Sequence, residues 1–291
     1  MTLEWIIFDV DDVVLDMDQL SQVAERAVQD ALTEPLGADA AARVYQGLHA
    51  AYDTLRAELR ATAGGASEAH RRLIARFEGW QQASLQAGHE LKQWSRQSLL
   101  SVALEDAGLP ARPEWVELGA RAYWTAVAEG TRILPDAQRA VAAARAAGLG
   151  VHFATNSDGG LTFDPASGTY GYDAAEATRQ KVARLDALLA LGFTRADVTV
   201  GDPIGKPHRA FYEAVLTDVA AKAGAPVDPG RVAAVGDSLT NDVLPLMRMG
   251  AERGAWILRK SEGPTPAEVP EAPRVWRIRS LDELGRLGFF G

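Results

Sequence analysis

The sequence predicts an α/β fold, a parallel sheet covered by helices, with an all-helical block inserted after the first strand. Three observations carry this reading. Four short, mostly apolar runs recur along the chain: Trp5-Ile6-Ile7-Phe8, Val151-His152-Phe153-Ala154, Val198-Thr199-Val200 and Val232-Ala233-Ala234-Val235. Such runs suit strands buried on both faces of a parallel sheet. From Ile133 onward they alternate with stretches of helical spacing, as repeated β-α units do. Residues 17–129, by contrast, carry almost no strand signal and are rich in Ala, Leu, Arg, Glu and Gln.

The elements follow in order. The first strand ends at once in Asp9-Val10-Asp11-Asp12. Helices are predicted over residues 17–33, 38–62, 67–107 with a break near Gly88, and 112–128. Leu48, Tyr52, Leu55 and Leu59 recur at three and four, as one apolar helix face requires. Thr62-Ala63-Gly64-Gly65-Ala66 reads as a turn, and Gly108-Leu109-Pro110 closes the long helical stretch. An alanine-rich helix over residues 135–147 precedes the strand that ends at Thr155-Asn156. Residues 161–163 and 169–172 read as two short strands around Asp164-Pro165-Ala166-Ser167-Gly168. This hairpin suits a substrate border, an edge extension or a dimer contact equally. Helices follow over 174–191 and 207–223, with Pro207 in a first turn, then over about 241–249. Ala255-Trp256-Ile257-Leu258 reads as a fifth strand; Val275-Trp276-Arg277-Ile278 and a helix from Leu281 end the chain.

Composition narrows the function classes. The chain has 291 residues, enough for one large or two modest domains, with 47% hydrophobic and 24% charged residues. A net charge of -9 argues against non-specific nucleic-acid binding, which needs a basic face. The absence of cysteine excludes disulfides and thiolate metal sites and fits a cytoplasmic protein. The first residues lack a basic segment followed by an apolar run, which argues against a secretory signal. No apolar run approaches the ~20 residues of a membrane span.

Chemistry concentrates at the strand ends, where open parallel sheets bind their ligands. The first end offers Asp9-Val10-Asp11, the second Thr155-Asn156-Ser157. The third leads through Gly201-Asp202-Pro203-Ile204-Gly205 to Lys206-Pro207, and the fourth offers Gly236-Asp237-Ser238-Leu239-Thr240-Asn241-Asp242. Taken singly, each has a plain structural reading: an acidic turn, a helix cap, a loop, an Asx turn. An EF-hand is excluded because the ligand pattern breaks at Val13. A Walker A loop is excluded because residues 201–206 are one short and Pro207 stands where Ser or Thr is needed. His49, His70 and His89 show no metal-ligand pairing, His152 lies within a strand, and His208 falls near a helix start. Trp80, Trp94, Trp115 and Trp124 read as helix-packing residues.

Together, in this order and at strand ends, the four motifs resemble the haloacid dehalogenase superfamily, in its branch of aspartate-based phosphatases and phosphotransferases. The resemblance covers about the first sixteen residues and everything after about residue 131. It implies a Rossmann-like core over residues 1–16 and 131–291 and a C1-type helical cap over 17–130. A separate helical domain with its own role is the alternative to the cap.

By this resemblance Asp9 is the nucleophile, forming an aspartyl-phosphate, and Asp11 is the general acid and then base. Thr155 and the backbone N–H of Asn156 would hold phosphate oxygens, and Lys206 would neutralise charge. Mg²⁺ would take Asp9, the Asp11 backbone carbonyl and Asp237, with Asn241 and Asp242 fixing those ligands. Asp12 stands where many relatives carry glycine. Lys92 invites comparison with the Schiff-base lysine of phosphonate-cleaving relatives, but those lack the second Asp of the motif. The implied function is a Mg²⁺-dependent phosphatase of a small phosphorylated metabolite, without nucleic-acid or membrane partners. A phosphomutase on the same fold and a non-catalytic phosphate-binding or scaffold protein are the alternatives. Dehalogenase relatives lack Asp11 and need no metal.

Overall fold

The computed structural model describes residues 2–60, 67–89, 94–157 and 159–291. The turn at residues 62–66, Lys92 and the side chains of Leu59 and Trp80 lie outside the described residues. In chain order, β1 (Trp5–Asp9) is followed by α1 (Asp18–Leu36), α2 (Ala38–Arg60), α3 (Glu68–Gln86), α4 (Arg96–Asp106), α5 (Pro113–Gly130) and α6 (Pro135–Ala146). Then come β2 (Gly150–Asn156), β3 (Leu161–Asp164), β4 (Thr169–Tyr172), α7 (Ala174–Leu185), β5 (Val198–Gly201) and α8 (Arg209–Ala223). The chain closes with β6 (Val232–Gly236), α9 (Leu244–Arg248), β7 (Arg253–Ile257), β8 (Ala267–Glu268) and β9 (Val275–Ile278).

Two compact units divide the chain: residues 1–17, 132–157 and 185–291 form one, residues 18–131 and 158–184 the other. The sequence expectation left 158–184 with the sheet, whereas here the segment groups with the helices. Side-chain contacts explain why. The buried Gln97 amide of α4 donates to the Leu161 carbonyl of β3 at 3.0 Å, and the His89 ring lies against Gly171 of β4. The hairpin itself forms as expected, with Leu161 opposite Tyr172 and Asp164 opposite Thr169.

The sheet unit is a seven-stranded sheet in the order β5-β2-β1-β6-β7-β9-β8. All neighbours are parallel except β8 and β9. Alternation along β1 supplies both faces. Ile6 and Phe8 join the core beneath α6, with Ala140, Val141 and Phe153; Trp5 and Ile7 join the core beneath α8, with Phe211, Val215 and Ala234. Because β1 is buried on both sides, its apolar run is continuous, which is why it was legible as a parallel strand. Strand β2 is tied to β5 through a polar chain. His152 Nε2 meets Thr199 Oγ1 at 2.8 Å, and the Thr199 hydroxyl donates to Asp218 of α8 at 2.5 Å. Burial depresses the His152 pKa to about 4, so it stands neutral and structural.

Several elements differ from the sequence expectation. Residues 186–191 wind as a 3₁₀ stretch after α7, and the terminal helix is a 3₁₀ turn at Leu281–Leu284. Pro207 lies ahead of α8, whose N-cap is His208, its Nδ1 accepting the Ala210 N–H at 3.2 Å. That side-chain cap sets the helix start at Arg209, two residues beyond the proline. The antiparallel β8 pairs through only Ala267 and Glu268, too short for a periodic signal.

The turn after β1 answers the glycine question. Asp12 takes a left-handed backbone, φ 59°, where glycine is the unstrained choice. An aspartate tolerates this region because its short polar side chain bonds locally. Its Oδ1 accepts the Met17 N–H at 3.0 Å. From the end of β7, Arg259 donates to the Asp12 and Val13 carbonyls at 3.0 and 2.8 Å and to Asp136 Oδ2 at 2.8 Å. The loop beyond Asp11 is thus held from the far side of β6. Asp12→Gly should change stability by no more than about 1 kcal/mol, relief of the left-handed strain offsetting the lost hydrogen bond. Asp12→Val, β-branched, should lose at least about 1–2 kcal/mol. Urea unfolding midpoints of the two variants provide the check, and equal midpoints would contradict the account.

Candidate active site

Strands β5, β2, β1 and β6 are consecutive neighbours, so the four motifs end side by side at the carboxyl edge of the sheet unit. β1 lies between β2 and β6, the point where strand order reverses and where such sheets open a crevice. Asp9 is the last residue of β1 and is 9% exposed. Asp11 lies two residues beyond, in a loop that folds back so that Asp11 bridges Leu15. Thr155 and Asn156 end β2, with Thr155 buried. Asp237 follows β6 immediately and opens to solvent.

Lys206 joins these ends. Its Nζ donates to Asp9 Oδ1 at 2.5 Å and to Asp242 Oδ1 at 2.7 Å, and its side chain is only 5% exposed. The loop that delivers it is held by Asn156, whose Oδ1 accepts the Lys206 backbone N–H at 2.7 Å. A Cβ on Gly205 would lie 2.4 Å from the same oxygen and would displace it from this bond. Asn156 thereby shapes the lysine loop with its side chain, a role the sequence did not suggest.

Asp242 sits inside a tight turn. Residues Leu239–Val243 form a single π-helical turn capped by Ser238, whose Oγ accepts the Asn241 N–H at 3.2 Å. Asp242 Oδ2 accepts the Ser238 N–H at 2.8 Å, so both its oxygens bond within the protein. Gly236 makes room for it, because a Cβ would lie 2.1 Å from the Asp242 Cβ. One oxygen each from Asp9, Asp237 and Asp242 lies within 4.8 Å of the others.

The charges do not balance. Burial, with the charges of Asp242 and Asp11, raises the Asp9 carboxyl to about 7 against the pull of Lys206. Desolvation, then the charges of Asp242 and Asp9, pushes Asp237 well above the usual carboxylate range. Burial works against the charge of Lys206, yet Asp242 and Asp9 outweigh it and keep the ammonium protonated. Oxygen donors with surplus negative charge form a site suited to a small divalent cation.

Two aromatic residues not singled out as functional also bond to this loop. Trp256 Nε1 donates to the Asp237 carbonyl at 2.9 Å, and the Tyr212 hydroxyl donates to the Asn241 carbonyl. Trp256 stands opposite Gly236 in the β6–β7 register, the one trace of its position available from strand pairing. Tyr212, on α8, leaves no such trace.

Comparison with known proteins bears on the family and the fold. A sequence model of the haloacid dehalogenase-like hydrolases matches residues 3–250. Among solved structures, the HAD-hydrolase YfnB from Bacillus subtilis, bound to magnesium, superposes with a TM-score of 0.59 at 19% identity, covering 99% of each chain. A HAD phosphatase from Thermococcus onnurineus gives a TM-score of 0.52 at 18% identity, covering 98% of this chain and 97% of that one. A 2-haloacid dehalogenase from Pseudomonas syringae pv. Tomato DC3000 gives 0.50 at 18% identity, covering 98% of each. At these identities the structures share the fold. No curated protein matches significantly in sequence. The motif order, the strand ends that carry it and the extent of the family match make this chain a member of the haloacid dehalogenase-like hydrolase family.

Proposed function

We propose that this hydrolase is a Mg²⁺-dependent phosphatase that releases phosphate from a small phosphorylated metabolite through an aspartyl-phosphate on Asp9. The observation that carries the reading is the ammonium of Lys206 held between Asp9 and Asp242, with Asp237 beside them. Phosphoryl transfer needs positioned charge more than covalent assistance, and this cluster is positioned charge.

An Asp9 carboxylate oxygen forms a bond to phosphorus as the ester oxygen leaves with a proton from Asp11. Asp11 then takes a proton from water, whose oxygen attacks phosphorus, and the Asp9–phosphorus bond breaks to free phosphate. Lys206 neutralises charge on Asp9 and on the phosphoryl oxygens. The Thr155 hydroxyl and the Asn156 N–H serve as further donors. Asp9, the Asp11 carbonyl and Asp237 would hold Mg²⁺, which when bound supplies the positive charge that Lys206 alone does not. Asp242, with its oxygens engaged by Lys206 and Ser238, suits an outer partner rather than a ligand.

Asp11 favours this reading over dehalogenation, which needs no acid for a leaving halide. The joint presence of Asp9, Asp11, Lys206, Asp237 and Asp242 favours an enzyme over a scaffold. A phosphomutase would pass the phosphoryl group to a second hydroxyl instead of water, and product analysis separates the two. The helical unit is taken as a cap domain that selects the substrate. Among the described residues, no helix is long and apolar enough to cross a membrane, and a cytoplasmic setting fits a chain without cysteine.

Asp9→Asn should cut turnover by about 10³-fold or more, roughly 4 kcal/mol of barrier, with the fold retained. Phosphate release from a panel of phosphorylated metabolites is the assay, and near wild-type release would reject the nucleophile. Chelation by EDTA should abolish activity and Mg²⁺ should restore it, whereas Ca²⁺, with its looser geometry, should not. Full activity in excess chelator would reject the metal requirement.

Stability should carry the same signature. The Asp9 pKa in the fold, about 7, lies above its ordinary 3.8. Its contribution is therefore present at low pH and lost as pH rises through about 7. A cation that replaces the proton reverses the loss, so Mg²⁺ should raise the thermal midpoint more at about pH 7.5 than at about pH 5. Calorimetry with and without Mg²⁺ measures this, and an equal shift at both pH values would remove Asp9 from the ligand set.

A further inference from the structure

We propose that Trp256 and Tyr212 are positioning residues that preset the Mg²⁺ site by pinning the two peptide units that flank its acidic turn. The proposal rests on the phosphatase reading for the presence of Mg²⁺ and adds two residues to it.

The argument is geometric. The Asp237 carbonyl and the Ser238 N–H belong to one planar peptide unit, so fixing both ends fixes its orientation. Trp256 Nε1 holds the carbonyl end at 2.9 Å, and Asp242 Oδ2 holds the N–H end at 2.8 Å. The Asn241 carbonyl and the Asp242 N–H form a second such unit. The Tyr212 hydroxyl holds its carbonyl end, and the Ser238 carbonyl accepts its N–H at 2.9 Å. Each unit is therefore pinned at both ends, with an aromatic donor outside and a bond of the turn inside.

The two anchors come from different places in the fold. Trp256 lies on β7, paired with Gly236 in the adjacent strand, while Tyr212 lies on α8 and is 1% exposed. They act on opposite ends of the turn, one at Asp237 and one at Asn241. Burial pushes the Tyr212 phenol up, so it remains a neutral donor. Rotation of either peptide unit would swing an aspartate away from its neighbours, because the Asp237 and Asp242 carboxylates hang from the α-carbons that border those units.

A preset site matters because these carboxylates repel one another. Left free, Asp237 would turn into solvent, and a cation would have to restore the arrangement at the expense of its own binding. Groups that orient a ligand typically change metal affinity by about 10–100-fold when removed.

The test is calorimetric titration of the full chain with MgCl₂, using wild type, Trp256→Phe, Tyr212→Phe and Asp237→Asn. Tyr212→Phe deletes only the hydroxyl, and Trp256→Phe removes the N–H donor while leaving a smaller aromatic ring in its place. Each is expected to weaken the Mg²⁺ Kd by about tenfold or more, and the apparent Mg²⁺ KM for phosphate release should rise in step. Asp237→Asn should bind no Mg²⁺. A lowered Tm with the Mg²⁺ Kd kept within about twofold would assign both aromatics a purely structural role and overturn the proposal. Wild type that takes up no Mg²⁺ would overturn both this proposal and the reading beneath it. Wild type that binds while both variants bind equally well would overturn the positioning role alone.

Discussion

The candidate site is built around one buried ammonium. Lys206 lies between Asp9 and Asp242 with little exposure, and each partner is itself buried. Removing one member of a buried ion pair typically costs about 3–5 kcal/mol, because the charge left behind has no solvent. The three side chains therefore depend on one another, and the loop geometry exists to bring them together. Asn156 and Gly205 deliver the lysine, Gly236 clears space for Asp242, and β1 presents Asp9. Lys206 neutralises one charge, while one oxygen each of Asp9, Asp237 and Asp242 lies within 4.8 Å of the others. Burial, together with the remaining charge imbalance, is why the Asp9 and Asp237 carboxyls lie above the usual carboxylate range.

The sheet turns a sequence order into a spatial order. Motifs separated by more than a hundred residues meet because their strands are neighbours in the order β5-β2-β1-β6. The reversal at β1 places acidic, hydroxyl, basic and acidic strand ends next to each other. Parallel pairing aligns all four carboxyl ends at one edge, which an antiparallel arrangement would not do. The helices on both faces bury the strands.

Legibility follows from the range of the physics involved. The strands and their terminal Asp9, Thr155 and Asp237 were readable because an apolar run and a polar terminus are local signals. The hairpin was readable because its turn sequence is local as well. The left-handed Asp12 was visible only as a departure from glycine, since its backbone depends on Met17 and Arg259, one near in sequence and one far. The side-chain role of Asn156, and Tyr212 and Trp256 altogether, escaped because each acts on a backbone group of a distant segment, and a backbone group carries no residue label. The 3₁₀ stretch at residues 186–191 escaped because apolar spacing alone does not separate it from an α-helix continuing α7. The grouping of residues 158–184 with the helices rests on Gln97 and His89, more than sixty residues upstream.

That grouping changes how the two units are to be separated experimentally. The chain leaves the sheet unit twice, first after Met17 and again after Ser157. Both departures follow strands that carry site residues, Asp9 on β1 and Asn156 on β2. Excising residues 18–131 alone would strip Leu161 of its bond from Gln97 and Gly171 of its packing against His89. A hairpin alone is marginal in water, so the remaining segment would lose its support. A sheet unit meant to retain only the chemistry therefore requires two excisions. By the same reasoning, the hairpin belongs to the folded body of the helices, because its own support comes from Gln97 and His89.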